Sequence, residues 1–530
     1  MSRRTLTVPP VARRTAAAVG GLLCAMAVAA LAVTDGTVGP APLVHAPADA
    51  RTVPVAAAET ALVCPVPAKL DQPDVGDDEF SAAPVAPRSR LAVAALGADG
   101  TPELAMPGGG AAEELVGPLE TGREAAVAAG DLPGPRLLRV TPGGATYAAG
   151  TVTSVTTGGD LRGMVAGPCT QPAVEHWLVG GGTAVGSSGR LVLQNPGRTP
   201  ATVALEAWGA TGPVALGSQA VVVVPPGEQV VTQLEAVAPD QARLALHVTA
   251  EGGRVGASVQ HHRIEGILPA GADLVTRGSA PAPTTAVSGV VSTGEAVDDA
   301  HAPRLDLLAP GDRPGTARLA VLGADGPVRL RGGEEVPLEA GRVTTVPLGG
   351  LPEGAYTVVV DADVPVVAGA AVDREGEPAQ DAVVGGDPYD RAWLSGQAAD
   401  GVVADGAAAV PPDASFEVAL AGVPDNRDPD RIDDASGTAT VNLRGIGPDG
   451  DEAWTRTVDV EAGRTVLVDD LGEPGETVAV VAEQHAGGPA VVWSVTLADA
   501  DDDSLFSVLA PSAPLAAGDA VRVRRVDAVG

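Results

Sequence analysis

The sequence contains few aromatic residues, a single lysine and three cysteines. Phe, Tyr and Trp make up 2% of its 530 residues, so its cores must be built from Val, Leu, Ile and Ala. Basic residues are almost all arginine, since Lys69 is the only lysine. With 67 acidic and 34 basic residues the formal net charge is −33. This charge disfavours nucleic acids and anionic lipids as partners of the folded region, because both would be repelled.

Catalytic signatures are absent as well. The sequence has no HExxH, GxSxG, SxxK or Walker motif. The glycine run 180–182 follows a strand-like segment, but neither a helical segment nor a lysine follows it, so a β-turn is favoured over a phosphate-binding loop. We therefore expect a protein that is not an enzyme and that carries no cofactor.

The amino-terminal region combines arginines with one long apolar run. Arg3, Arg4, Arg13 and Arg14 precede the uncharged residues 15–33. The run has about the length of a membrane span, and the arginines place the residues after it outside the cytoplasm. A retained anchor and a cleaved secretory signal both fit this pattern. We expect a single-pass protein of the cell membrane with an extracytoplasmic carboxyl-terminal region, or alternatively a secreted protein.

The cysteines predict one disulfide. Cys24 lies inside the apolar run, which leaves Cys64 and Cys169 for the exported region. Two thiols in an oxidising compartment are expected to pair. Cys64 follows the first strand-like run of its unit and Cys169 follows the last, so the bridge would close one domain. Chain-entropy reasoning gives this bridge roughly 4 to 5 kcal/mol as an upper figure.

Two sequence marks recur through the exported region and indicate an internal repeat. The first is a strand that ends in a glycine-containing turn, at 97–100, 209–212, 323–326 and 447–450. The second is a tight turn that leads to a valine-rich strand, and it contains Gly122, Gly227, Gly341 and Gly463. The spacing of these glycines matches the size of an immunoglobulin-like sandwich.

Short alternating strands separated by turn residues favour antiparallel sandwiches over βαβ units or a propeller. We predict an all-β chain, a tandem array of about four immunoglobulin-like antiparallel β-sandwich domains after one N-terminal transmembrane or signal helix. The predicted segments are a cytoplasmic basic tail (1–14), the membrane or signal segment (15–33), a flexible linker (34–60), three sandwiches (61–170, 171–275, 276–385), and a fourth with the carboxyl-terminal tail (386–530).

Tryptophan and histidine provide the candidate ligand contacts. Trp177, Trp208 and His176 could line a groove in which a sugar stacks on an exposed ring. The alternative is that Trp177 packs in an aliphatic core. Trp393 is expected to take the same place two units later, which favours packing.

An acidic stretch is the candidate calcium site. Calcium prefers hard oxygen ligands, and linkers of extracellular β-domains often hold it. Arg427 and Arg431 offset part of the charge and the EF-hand spacing is missing, so a solvated loop is the alternative. The possible ligands are Asp425, Asp428, Asp430, Asp433 and Asp434.

One stretch of the second unit also carries a family resemblance. It contains Cys169, Pro172, the segment 175–177, the glycine turn and the segment 191–196. With these residues the chain resembles an uncharacterised actinobacterial family of membrane-anchored, secreted β-rich cell-envelope proteins. The resemblance extends over most of the exported chain. It implies a compartment and an architecture, and it implies no activity.

These patterns lead to three hypotheses on function. We expect a non-enzymatic extracytoplasmic scaffold or interaction protein of the bacterial cell envelope, built as a membrane-tethered stalk, with envelope proteins or glycans as partners. The alternative is a carbohydrate-binding or cell-wall-assembly accessory protein, in which Trp177, Trp208 or Trp454 would line a groove. The third is a hydrolase, which would need a deep pocket holding two carboxylates or a histidine.

Overall fold

The computed structural model describes residues 51–54, 57–70, 86–109, 120–330, 335–378, 385–399, 401, 404–425, 435–516 and 520–523. Within these ranges, no helix has both the length and the apolar character needed to cross a membrane. The predicted membrane segment 15–33 and most of the predicted linker lie outside them. Two terminal strands, β1 (Arg51–Pro54) and β36 (Ala520–Val523), pair antiparallel in one compact unit. Residues Ala57–Ala517 form the other unit.

The unit Ala57–Ala517 contains four two-sheet sandwiches. The first consists of β2 (Thr60–Val63), β3 (Arg88–Ala98), β4 (Glu103–Ala105), β5 (Glu120–Thr121), β6 (Ala125–Asp131), β7 (Leu137–Val140), β8 (Pro142–Thr156) and β9 (Gly163–Pro168), with a 3-10 turn at Pro107–Gly109. The second consists of β10 (Glu175–Val179), β11 (Ser187–Gln194), β12 (Ala201–Gly209), β13 (Gly212–Val214), β14 (Val221–Val224), β15 (Gln229–Gln233), β16 (Ala245–Glu251), β17 (Gly256–Glu265) and β18 (Leu268–Val275), with a 3-10 turn at Gly217–Ala220 and one helical turn, α1 (Leu234–Val237).

The third and fourth sandwiches follow the same plan. The third consists of β19 (Ala282–Ser292), β20 (Arg304–Leu308), β21 (Gly315–Gly323), β22 (Gly326–Val328), β23 (Val336–Leu338), β24 (Val343–Pro347), the long β25 (Gly354–Glu375), β26 (Tyr389–Ser395) and β27 (Gln397–Ala398). The fourth consists of β28 (Gly406–Ala409), β29 (Ala414–Val423), β30 (Thr438–Ile446), β31 (Glu452–Glu461), β32 (Thr465–Val468), β33 (Ala479–Gln484), β34 (Ala490–Asp499) and β35 (Phe506–Leu509).

Period-2 alternation explains why these segments are strands. In β12 the buried Val203 and Leu205 alternate with the exposed Thr202, Ala204 and Glu206, so one face packs on the core and the other meets solvent. The four main core clusters consist almost entirely of Val, Leu and Ala. The predictions of an all-β chain of antiparallel sandwiches and of aliphatic cores are confirmed.

All four sandwiches repeat one strand order. In the second, β10 pairs with β16, while β17 pairs with both β11 and β18. In the fourth, β28 pairs with β33, while β34 pairs with both β29 and β35. An immunoglobulin domain places its first strand beside the second and its seventh beside the sixth. Here the first and seventh strands have exchanged sheets, and an eighth strand is added beside the seventh.

The last strands that complete the four sandwiches, β9, β18, β26 and β35, meet in the middle of the unit and are called the central strands. β9 contacts β18, β18 contacts β26, β26 contacts β35, and β35 contacts β9. The central strands therefore form a closed ring with one strand from each sandwich. The sequence analysis expects a stalk, but the first and fourth sandwiches pack directly against each other through β8 and β28. The stalk arrangement is wrong for this unit.

Two buried aspartates hold the central strands together. Asp273 on β18 accepts hydrogen bonds from the backbone N–H of Ala166 on β9 and of Trp393 on β26, both at 2.9 Å, and from the hydroxyl of Ser507 on β35 at 3.0 Å. Each carboxylate oxygen is thus satisfied by a different sandwich. Burial raises the pKa of Asp273 well above its ordinary value, although the backbone N–H donors oppose this effect.

Asp390 makes the reciprocal set of contacts from β26. It accepts hydrogen bonds from the backbone N–H of Met164 on β9 at 3.0 Å and of Phe506 on β35 at 2.8 Å, with a longer one from Ala272 on β18 at 3.4 Å. Burial raises its pKa to about 6. Each aspartate therefore connects its own sandwich to the three others.

After each central strand the chain returns to the first strand of its sandwich and then reaches the next sandwich. After β9, Thr170 exchanges two backbone hydrogen bonds with Val63, and Ala173 bonds to Val255 of the second sandwich. After β35, Ser512 does the same with Ala407. Leu515 then donates to the carbonyl of Thr146 in the first sandwich at 2.8 Å. The carboxyl-terminal segment thus closes the ring by the same contacts that join consecutive sandwiches.

The predicted disulfide is confirmed and lies where the chain leaving β9 returns to the first strand of the first sandwich. Cys64 and Cys169 are bonded and fully buried. They directly flank the Val63 and Thr170 backbone pair. The bridge therefore fixes the first strand of the first sandwich to the chain that leaves its central strand.

The structure shifts two features of the sequence alignment. In the last three sandwiches the glycine turn of the first mark follows the third strand, which is β12, β21 or β30. In the first sandwich the turn at residues 97–100 follows β3, which is the second strand. The predicted alignment of the first unit is therefore wrong by one strand. The second mark is sounder: Gly227, Gly341 and Gly463 all adopt positive φ, which favours glycine. The third sandwich also continues past the expected boundary at residue 385, because β26 pairs with β25.

Candidate functional site

The four equivalent sandwiches allow one position to be compared four times. The first strand of each sandwich contains one residue that bonds to, or pairs with, the chain returning from the central strand. We call this residue, with its two cross-strand neighbours, the seam row. In three sandwiches the carbonyl of this residue accepts a backbone hydrogen bond from the returning chain: Val63 from Thr170, Trp177 from Gly278 and Ala407 from Ser512. In the third sandwich the residue is Ala286, which pairs with Gln397.

Three of the four seam rows are largely aliphatic. They are Val63–Leu137–Ala105, Ala286–Val359–Ala320 and Ala407–Val481–Arg444. All of their aliphatic members are buried. Small aliphatic residues are therefore sufficient for packing at this position of the fold.

The seam row of the second sandwich is different in chemistry. It consists of Trp177 on β10, His247 on β16 and Glu206 on β12. The rings of Trp177 and His247 stack with centroids 4.0 Å apart and planes at 12°. The Glu206 side chain is 65% exposed, so this row brings an aromatic ring, an imidazole and a solvent-facing carboxylate together.

A second glutamate completes a hydrogen-bonded group around His247. Its Nε2 lies 3.0 Å from Glu175 Oε1 and its Nδ1 lies 2.9 Å from Glu206 Oε2. Trp177 Nε1 also donates to Glu175 Oε1, at 3.0 Å. The hydrogen bonds from Trp177 and His247 lower the pKa of Glu175, because they stabilise the ionised form. Whichever nitrogen of His247 carries the proton, it donates to a carboxylate.

Trp208 also stacks on Trp177. Their ring centroids are 5.7 Å apart with planes at 23°. Trp208 in turn approaches Gly341 of the third sandwich, where a side chain would meet its ring at 3.5 Å. The stacking contacts with Trp208 and His247 help to bury Trp177, and only 6% of Trp177 and 9% of Trp208 is exposed.

Four of these residues form one wall of an open cleft of about 520 Å³ between the second and third sandwiches, namely Trp177, Glu206, Trp208 and His247. The opposite wall is the loop 309–313 with Val364 and Pro365. Asp312 and Arg313 are exposed in that loop. The cleft thus combines apolar surfaces with carboxylates and one guanidinium, the composition of a site for a small polar ligand.

The structure brings two of the three predicted ligand contacts together. Trp177 and Trp208 stack on each other and both line the cleft, although each is largely buried. His176 points inward from β10 and is 1% exposed, with Nε2 2.8 Å from the carbonyl of Val255. Burial lowers its pKa to about 4, and it does not line the cleft.

The other marked tryptophans lie elsewhere. Trp393 is on the central strand β26 and contacts His261 edge to face, whereas Trp177 is on a first strand. The expectation that these two take the same place is therefore wrong. Trp454 on β31 donates to the hydroxyl of Thr477 within the fourth sandwich.

The candidate calcium residues are mostly outside the described part of the chain. Asp425 is described and exposed, while Asp428, Asp430, Asp433 and Asp434 are not described. Among the described residues, no group of three or more His, Cys, Asp or Glu side chains could hold a metal ion. The calcium prediction stays a prediction.

Sequence reasoning missed His247, Glu175 and Glu206 as members of one group. Glu175 is next to His176 in the sequence, whereas His247 lies 72 residues after Glu175. The signal that could have found them is the strand pairing, since alternation puts Glu206 and His247 on the outer face of their strands. Without a register the sequence cannot place them opposite Trp177.

Comparison with known families gives one decisive match. The model of a family of unknown function, DUF5719, matches residues 125–470, which is more than half of the chain. The chain belongs to this family. The match includes both walls of the cleft and leaves out β1 to β5 and β33 to β36.

Other comparisons add little. No curated protein matches the sequence. The crystal structure of Thermotoga maritima 1070 is 18% identical and covers 22% of this chain and 93% of that chain, with a TM-score of 0.17. The Streptomyces avermitilis alpha-L-rhamnosidase complexed with L-rhamnose is 11% identical and covers 77% of this chain and 55% of that chain, with a TM-score of 0.12. Likenesses this weak carry no argument about fold or function.

Proposed function

We propose that the protein is a non-enzymatic scaffold or interaction protein of the bacterial cell envelope. The observation that carries the proposal is the closed ring of four sandwiches around the central strands. Such a ring presents its outer sheets in fixed relative positions, because Asp273 and Asp390 bond the second and third sandwiches to each other and to the first and fourth. Fixed spacing between surfaces is what a scaffold requires.

The use of the buried charged groups supports a structural role for the centre of the ring. Arg391 makes two hydrogen bonds of 2.6 Å to Asp373, one to each carboxylate oxygen. His301 Nδ1 lies 3.0 Å from the same carboxylate. These groups are engaged with one another and with the backbone, as in a network that fixes packing.

The location outside the cytoplasm is part of the proposal. The buried disulfide suits an oxidising compartment, and the arginine-flanked apolar run suits export or anchoring. We place the ring outside the cell membrane, held by residues 15–33 or released after their cleavage. Membership of an actinobacterial group of anchored envelope proteins belongs to the same proposal.

Two experiments test the scaffold proposal. A carboxyl-terminal fusion to alkaline phosphatase, which folds only where disulfides form, is expected to be active. Affinity pull-down with the full-length oxidised chain, with calcium and with chelator, is expected to retain an envelope protein in stoichiometric amount. An inactive fusion contradicts the location outside the cytoplasm. If the protein retains no envelope component either with calcium or with chelator, the interaction role is contradicted.

A second candidate function is a carbohydrate-binding or cell-wall-assembly accessory role. The observation that favours it is the cleft beside Trp177, where aromatic rings and carboxylates occupy a position that is aliphatic in the other sandwiches. Glycans would then be partners in addition to, or in place of, envelope proteins. Retention of purified wall glycan by the same bait would support this candidate.

A further inference from the structure

We propose that the cleft beside Trp177, His247 and Glu206 binds a saccharide that carries no negative charge. The inference rests on the second candidate function and adds to it the class of ligand and the residues that select it. It is argued from the difference between the seam rows, from the hydrogen-bonding groups of the cleft, and from their charge.

The difference between the seam rows shows that packing does not require these residues. At the equivalent positions of the first and third sandwiches, rows of buried aliphatic residues join neighbouring sandwiches. A carboxylate at such a junction gains nothing from burial and must stay hydrated or find a partner. The second sandwich places Glu206 there and leaves its side chain 65% exposed, while the neighbouring Glu175, outside the row, is 50% exposed. This is the arrangement of groups that meet a ligand.

The hydrogen-bonding groups of the cleft require a ligand rich in donors. Glu206 lines the cleft and uses Oε2 for His247, while its Oε1 accepts no hydrogen bond from the described residues. The N–H groups of Trp177 and His247 are already directed at carboxylates. Acceptors therefore outnumber donors on this wall, and sugar hydroxyls or amines are donors that suit carboxylate oxygens.

Charge excludes the acidic sugars. The lowered pKa of Glu175 keeps it ionised at neutral pH, Glu206 is its neighbour across His247, and Asp312 faces them beside Arg313. The chain as a whole carries a formal net charge of −33. A uronate or a sugar phosphate would be repelled, whereas a neutral or amino sugar would not.

The shape of the cleft favours a short glycan over an extended peptide. It is bounded on both sides, by the outer sheet of the second sandwich and by the loop of the third, and its volume of about 520 Å³ suits a compact ligand. Trp208, Pro310, Val364 and Pro365 supply apolar surface for the C–H faces of sugar rings. An arginine-rich peptide remains the competing occupant on charge alone.

The test is a titration of the full-length protein with defined probes. Chitotriose, maltotriose and cellotriose are the uncharged probes, trigalacturonic acid is the anionic probe, and triarginine is the peptide probe. Tryptophan fluorescence and saturation-transfer NMR report binding. The variant is Glu206→Gln, and the matched control is Glu251→Gln. Glu251 is exposed like Glu206, but it lies on β16 and does not line the cleft.

We expect at least one uncharged trisaccharide to bind saturably and trigalacturonic acid to bind at least about tenfold more weakly. Glu206→Gln is expected to weaken saccharide binding by about tenfold, the loss of one charge-assisted hydrogen bond, and Glu251→Gln to leave it within about twofold. Equal effects of the two variants, no saturable saccharide binding, or triarginine binding in place of saccharide overturns the inference.

The test separates this inference from the scaffold proposal. If the titrations fail while the pull-down retains an envelope protein, only the saccharide inference is lost. If a saccharide binds and the pull-down retains no protein, the scaffold proposal is lost and the glycan role stands.

Discussion

Asp273 should be the most sensitive polar residue of the ring. Replacement by alanine removes the acceptor of the backbone N–H groups of Ala166 and Trp393 and of the Ser507 hydroxyl. Each buried donor left without a partner costs about 1–3 kcal/mol, and relief from burying a carboxyl group offsets part of the sum. We therefore expect Asp273→Ala to lower the free energy of unfolding by about 3–5 kcal/mol.

Equilibrium urea unfolding of the full-length protein, followed by tryptophan fluorescence, measures the loss. Ser507→Ala removes only one of the three donors and should cost about 1 kcal/mol. The double variant should be no less stable than Asp273→Ala, because the bond that Ser507 makes is already gone. Asp325→Ala, at an exposed turn, is the control and should be neutral. A loss below about 1 kcal/mol for Asp273→Ala, or additive effects of the two substitutions, would refute the reasoning.

Three further predictions concern buried groups. Folding raises the pKa of Asp390 to about 6 from about 4 in the unfolded chain. The folded state therefore binds a proton more tightly, and the free energy of unfolding should fall by up to about 3 kcal/mol as pH rises from 4 to 6. Urea midpoints measured against pH should show this slope, and Asp390→Asn should lack it. Arg391→Met should cost about 3–5 kcal/mol in the same assay, because it leaves the Asp373 carboxylate buried without its main partner; a neutral effect would mean that His301 compensates. Serine at Cys64 and Cys169 should cost up to about 4–5 kcal/mol, and dithiothreitol should reproduce the loss in the wild type while leaving the variant unchanged.

The sandwiches could be predicted because their signal is local. Alternation in segments such as β12 and glycines such as Gly227 and Gly463 each report on a few neighbouring residues. The same locality explains the misplaced turn at 97–100. A strand followed by a glycine turn looks alike whether the strand is second or third in its sandwich, and only the pairing of β3 with β6 and β8 distinguishes the two.

The ring could not be predicted, because its determinants are far apart in the sequence. Asp273 and Asp390 read as ordinary polar residues within strands, and nothing near them shows that their partners lie in three other sandwiches. Buried carboxylates are rare enough that a sequence reading assigns them to the surface. The expectation of a stalk rests on the repeat, the predicted anchor and the lack of a catalytic motif, and all three are equally compatible with a closed ring.

The candidate site follows from the same repetition once the strand register is known. The seam row occurs in four equivalent sandwiches, so its residue types can be compared four times. A row with charged or aromatic residues in one sandwich needs a reason other than the packing of the fold, because aliphatic residues satisfy that packing in the others. Arg444, the charged residue of the fourth sandwich's row, is accounted for by its ion pair with Glu124 across the junction of the fourth and first sandwiches, beside a second pair with Glu483 of its own sheet. Within the described part of the chain, the ion pair of Glu206 is with His247 of its own sheet, and Glu206 faces the cleft. A charged residue that joins two sandwiches serves the ring, whereas one that faces an open cleft is available to a ligand.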